Sequence, residues 1–217
     1  LVIRLEYDRL GEWSDRRMLA VKAGACGYID PNGEVVIDLK YESDDGILSW
    51  GNFKNGVAQV KVNGKIGMID TLDNRLVPAI FQAIGDIDPK LIPVKKRGKW
   101  GYADPDMQLA LPYKYSMAWN FVNGSARVRS GDLYGVIKED GKEIIPLECD
   151  FISELSYERF IVKKKGLFGL LDTAGIEVVP VLFGQLEVID EYAVRVHHRD
   201  KMAYLKLENG EYIWKEE

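Results

Sequence analysis

The chain has 217 residues, 47% hydrophobic and 29% charged, with a net charge of −5. This is the composition of an ordinary soluble globular protein, and a fold of this size buries roughly 70% of its unfolded surface without help from disulfides or metal. No apolar run is long enough for a membrane span and no signal-peptide pattern stands at Leu1, which excludes those classes for the residues in hand.

The first residue is not Met, so a piece of a longer chain is expected, and compartment and oligomeric state are left open. Two cysteines, Cys26 and Cys149, are far apart in sequence and do not make a disulfide framework; both are read as buried thiols.

In chain order, the pattern is a succession of short strands and tight turns. Alternation of apolar residues with others predicts first strands at Val57 to Val62, Leu91 to Lys96, Arg159 to Lys164 and Tyr192 to His197. Two-residue turns follow at Asn63-Gly64, Arg97-Gly98 and Lys165-Gly166, where Asn and Gly tolerate the positive φ of a tight hairpin. Second strands return over Lys65 to Asp70, Lys99 to Asp104 and Leu167 to Asp172. An Asp-x-x-Gly turn then leads to short third strands such as Glu34 to Ile37, Glu143 to Ile145 and Glu177 to Val179, and no helix is expected anywhere.

These elements recur with a fixed period. Gly67, Gly101, Gly135 and Gly169 are spaced by 34 residues, with Gly27 before them and Ala203 in the sixth place. Eleven residues after each glycine stand Asp38, Pro78, Pro112, Pro146 and Pro180, and three further on Tyr41, Phe81, Tyr115, Cys149 and Phe183. The first interval is 40, which places a six-residue insertion between Tyr41 and Phe53.

A fixed period of this length decides the architecture. The chain is predicted to be one all-β domain over residues 1–217: a partial repeat at 1–17, then repeats at about 18–56, 57–90, 91–124, 125–158, 159–191 and 192–217. Each repeat is a β-hairpin plus a third antiparallel strand in a curved array. The alternative is a closed propeller-like ring, completed by Val2 to Leu5 or Glu211 to Trp214.

Pairing across the turns puts Val60, Val94, Val128, Val162 and Val196 on one face, each opposite a column glycine or alanine, and this face is the expected core. The glycines are expected where another layer approaches closely. The opposite face pairs Lys61 with Ile66, Lys95 with Trp100, Arg129 with Tyr134 and Lys163 with Phe168.

The run Gly98-Lys99-Trp100-Gly101-Tyr102 followed by Asp104 resembles the WG-repeat (KWG) family, whose units carry a Trp-Gly hairpin, an Asp-x-x-Gly turn and a Val-Ile-Pro strand. Only one repeat has the literal Trp-Gly; Cys26, Ile66, Tyr134, Phe168 and Met202 stand in the tryptophan column elsewhere. The resemblance implies a β-repeat module, mainly bacterial and often fused to other modules, with no general activity attached. Gly-Lys-Trp hairpins also resemble choline-binding repeats, a carbohydrate or cell-wall-binding alternative, but those have a shorter period and cage their ligand with several aromatics.

No catalytic residues, metal ligands or cofactor are expected: the sequence has no P-loop, dinucleotide fingerprint or nucleophile elbow. Asp30, Asp70, Asp104 and Asp172 each open a turn, where Asp bonds its own backbone. The adjacent His197 and His198 point to opposite faces of a strand.

The candidate binding residues are the cationic column with its aromatic partners, Lys61, Lys95, Trp100, Arg129, Tyr134, Lys163 and Phe168, and Trp50 in the insertion. Evenly spaced cations suit an acidic protein surface or an anionic polymer, and an irregular loop on a rigid array suits a specificity element. The expected function is a non-catalytic interaction scaffold with a protein partner. A hydrolase with two carboxylates in a central pocket is the alternative from another class.

Overall fold

The structure, a computed structural model, describes residues 6–86 and 90–215. The expected leading strand at Val2 to Leu5 lies outside the described residues. The chain divides into two compact units, residues 1–84 with 94–98 and residues 85–93 with 99–217.

Six small antiparallel sheets make up the described residues. In the first unit, sheet 1 runs Arg9–Ser14, Arg17–Lys22, Ala25–Ile29 and Val35–Glu42; sheet 2 runs Val57–Val62, Lys65–Asp70 and Arg75–Phe81. The third hairpin contains the division: Ala83–Ile84 pairs on residues 94 and 95 in the first unit, and Lys99–Ala103 pairs with Leu109–Tyr115 in the second. Sheet 4 (Met117–Ala118, Ser125–Ser130, Leu133–Lys138, Glu143–Cys149) and sheet 5 (Phe151–Ile152, Arg159–Lys164, Leu167–Asp172, Glu177–Phe183) follow. Sheet 6 is Gln185–Val188, Ala193–His198, Lys201–Lys206 and Tyr212–Lys215.

The hairpin turns are set by local chemistry. Asn63-Gly64, Arg97-Gly98 and Lys165-Gly166 all have positive φ at both residues, the type I′ geometry that matches strand twist. In the second turn, the Asp70 carboxylate accepts the backbone N–H groups of Leu72 and Asn74, and Asp30 and Asp172 repeat the arrangement. The Asn74 side chain and these N–H groups hold the Asp70 carboxyl below the usual carboxylate range.

The glycine column has a different cause from the one expected. What approaches it is the third strand of the same sheet. In sheet 4, Tyr134 stands opposite Cys149 and Val136 opposite Ile145, so Pro146, Leu147 and Glu148 all face Gly135. The same excursion recurs at Pro78 to Ile80 opposite Gly67, Pro112 to Lys114 opposite Gly101 and Pro180 to Leu182 opposite Gly169. A Cβ on Gly135 would lie 2.9 Å from the Ile145 carbonyl oxygen, and one on Gly169 2.7 Å from the Val181 Cα. Proline fits the excursion because it brings no backbone donor to leave unpaired. In sheet 6, where Ala203 replaces the glycine, the excursion is absent and Ala203 stands directly opposite Lys215.

The excursion turns the strand out of its sheet, and one residue later the chain pairs with the next hairpin: Cys149 ends one sheet and Phe151 starts the next. The three strands expected of each unit are present, and every sheet except sheet 2 gains a fourth strand, only two residues long at Ala83–Ile84, Met117–Ala118 and Phe151–Ile152. That brevity is why 34 residues suffice. The corner residue also caps the following turn: Glu42, Gln82 and Asp150 accept the N–H groups of Gly64, Gly98 and Gly166.

The valine face is buried, but so is the face across from it, which corrects the single-core expectation. In the second unit Val136, Ile145 and Cys149 of sheet 4 pack against Phe160, Val162 and Leu171 of sheet 5. The other face of sheet 4, Ala126, Val128 and Ile137, packs against Tyr102, Leu111 and Tyr115. In the first unit Cys26, Tyr28 and Ile37 meet Ala58, Val60 and Ile69. Both thiols are free and buried, and burial pushes each up to about 11.

A Gly135→Ala substitution should destabilise the protein by about 1–3 kcal/mol, the usual cost of overpacking, whereas Gly184→Ala, with its nearest neighbour 3.8 Å from the new Cβ, should be close to neutral. Chemical denaturation of both variants checks this. Because its carboxyl pKa is lowered on folding, Asp70 stabilises the fold above the ordinary value of about 3.9 and that contribution disappears as pH falls through the lowered value. Asp70→Ala should thus melt below the parent at neutral pH, with the gap closing in acid, as followed by circular dichroism.

Candidate interaction surface

The eight candidate residues are all half-buried. In the second unit the row next to each hairpin turn crosses all four strands. It reads Met117, Arg129, Tyr134, Cys149 in sheet 4 and Phe151, Lys163, Phe168, Phe183 in sheet 5. The inner end of each row is core, the cation stands second, and the outer end is the exposed Met117 or Phe151.

Each cation sits on its aromatic partner. The Arg129 guanidinium lies 5.4 Å from the Tyr134 ring centre and pairs with Asp132 in the turn, and the Lys163 ammonium lies 4.9 Å from the Phe168 ring centre. Arg127 adds a third such contact at 4.7 Å from the Trp119 ring centre, while its guanidinium donates to the Ile152 carbonyl at 2.8 Å. In the first unit the Lys61 ammonium is 3.0 Å from the Asp44 carboxylate, and Lys95 stands opposite Ala83. Trp100 packs against the apolar cluster of Tyr102, Tyr115 and Val128.

Magnitudes rank these contacts. A buried valine of the column contributes about 1.5–3 kcal/mol, while a partly exposed cation over a ring contributes about 0.5–1 kcal/mol and a cross-strand pair roughly 0.2–1 kcal/mol. The valine and glycine columns hold the fold, and the cations can be changed without unfolding it.

The insertion is ordered around a helical turn, Ile47–Trp50, too short for any periodicity to announce. Ile47 is fully buried, and Trp50 folds back against the cluster containing Ile47 and Phe53. Asp44 links the loop to the sheets: its carboxylate takes the Lys61 ammonium, which together with the Gly46 N–H holds its pKa below the usual range. The Tyr28 hydroxyl donates to the Gly51 carbonyl at 2.6 Å.

A cavity of about 450 Å³ that no sequence motif announces lies beside the last hairpin, lined by Phe183, Val196, Met202, Ala203 and Tyr212 with Arg199, Lys201 and Lys215 around it. Its signal was present in sequence: the sixth repeat departs from the pattern in two columns at once, with Ala203 for glycine and Trp214 for proline. Among the described residues no group of three or more His, Cys, Asp or Glu side chains is arranged to hold a metal, and no helix is long and apolar enough to cross a membrane.

Comparison with solved structures gives likeness of fold at low identity. A structure described as the eukaryotic initiation factor superposes over 98% of this chain and 67% of its own, at 12% identity and a TM-score of 0.52. Hsv2 of Kluyveromyces lactis, with one loop replaced by a Gly-Ser linker, matches over 98% of this chain and 86% of its own, at 12% identity and a TM-score of 0.47. A search of curated proteins finds no match. The profile of the WG containing repeat matches four consecutive segments, residues 27–65, 66–100, 100–134 and 134–168. With its glycine column, its type I′ hairpins and these four matches over more than half its length, the chain belongs to the WG-repeat family.

Proposed function

We propose that this chain is a non-catalytic interaction scaffold, a module of a larger bacterial protein, that binds an acidic protein surface or another anionic partner along the hairpin-turn ends of its sheets. The observation that carries this reading is the repetition of one arrangement at the same row position in neighbouring sheets: Arg129 over Tyr134, then Lys163 over Phe168. A cation resting on a ring has already lost most of its rotamer freedom, so less entropy remains to be lost when a carboxylate docks on it. Lys61, Lys95 and Trp100 occupy the corresponding positions of other repeats, and the loop carrying Trp50 adds an irregular edge where specificity can reside. The charges are presented on a protein of net charge −5, so attraction is confined to this row and adjoining turns.

Poly-L-glutamate serves as a defined acidic probe. The parent chain should bind it in a salt-dependent manner, and the double variant Arg129→Glu, Lys163→Glu should bind at least about tenfold more weakly while its melting temperature stays near the parent's. Equal binding by parent and variant would remove the row from the account.

A further inference from the structure

We propose that the cavity beside the last hairpin is a binding site for a small amphipathic carboxylate, whose head group replaces a capping side chain that the sixth repeat lacks. This goes beyond the scaffold reading and does not depend on it. The inference rests on how sheet 6 departs from its neighbours.

In sheets 2 and 5 and at the third hairpin, the corner residue before the hairpin supplies an acceptor to the second residue of the turn. Glu42 accepts the Gly64 N–H at 3.1 Å, Gln82 the Gly98 N–H at 2.6 Å and Asp150 the Gly166 N–H at 3.1 Å. The matching corner residue for the last hairpin is Gly184, and the matching turn N–H belongs to Asp200. Gly184 offers that N–H no side chain. Around the turn stand three cations, Arg199, Lys201 and Lys215, against the single carboxylate of Asp200, so the local field favours an incoming anion.

The apolar part of the cavity has an equally specific origin. In sheets 4 and 5 the third strand's excursion drops an aliphatic side chain onto the glycine. Leu147 comes within 3.1 Å of a Cβ built on Gly135, and Val181 within 2.7 Å of one on Gly169. In sheet 6 the third strand pairs straight past Ala203, so no residue descends there. The space that is left is lined by Phe183, Val196, Met202, Ala203 and Tyr212. Its volume of about 450 Å³ lies within the range of small-molecule sites and accommodates a medium-length acyl chain. One missing carboxylate and one missing aliphatic side chain, side by side, describe the ligand: a carboxylate on an apolar tail.

Octanoate, titrated calorimetrically into the intact 217-residue chain, tests the assignment. The expected result is saturable binding below about 10 mM, with octanol, which lacks the charge, at least about tenfold weaker. Gly184→Asp returns the capping carboxylate to the corner and should lower octanoate affinity at least about tenfold. Gly184→Ala has open space for its Cβ and should bind as the parent does. Absence of saturable octanoate binding, equal affinity for octanol, or undiminished binding by the Gly184→Asp variant would each overturn the proposal; the melting temperature of each variant verifies that its fold is intact.

Discussion

The structure depends on one steric constraint, a column of positions where no side chain can stand. Opposite Gly67, Gly101, Gly135 and Gly169 the third strand spends three residues against one, bringing its backbone to within 3 Å of where a Cβ would be. An insertion of this kind bends a strand and increases its local twist. The bend carries the chain out of one sheet and into the lead strand of the next across a single corner residue. Without it, a repeat of 34 residues would have no economical path from a third strand to the next hairpin.

Burial on both faces follows from that path. Because each excursion delivers the chain directly to the neighbouring sheet, successive sheets within each compact unit lie face to face, and a residue such as Val136 is as deeply buried as Val128 across the strand pair. The stabilising free energy is concentrated in these apolar layers. The cation–ring contacts at the hairpin ends contribute little by comparison, which leaves their chemistry available for recognition. The sixth repeat shows the same logic in reverse. With Ala203 in the column the excursion is lost, the layer is incompletely filled, and a cavity takes its place.

Much of this was legible in the sequence because the signals are local. The strands Val57–Val62, Lys65–Asp70, Arg159–Lys164 and Leu167–Asp172 have the bounds their alternation predicts, and the turns at Asn63 and Lys165 have the φ values their residues suit. The pairs Arg129 with Tyr134 and Lys163 with Phe168 follow directly from turn length. What escaped depends on longer-range geometry or on segments too short to carry a pattern. Two-residue lead strands have no periodicity, nor has the single helical turn at Ile47. A row of Lys beside aromatics reads as a solvent face, and only the position of the neighbouring sheet reveals that Val136 and Ile145 on that face are core. The partner of Lys61 is Asp44, in the preceding insertion, where no rule of spacing would place it.

The central claim is most directly tested by cross-strand nuclear Overhauser contacts in the second unit. The account predicts backbone contacts between Tyr134 and Cys149 and between Val136 and Ile145, leaving Pro146 to Glu148 arched over Gly135. A continuous one-to-one ladder, with Gly135 opposite residue 148 and Val136 opposite residue 147, would contradict it.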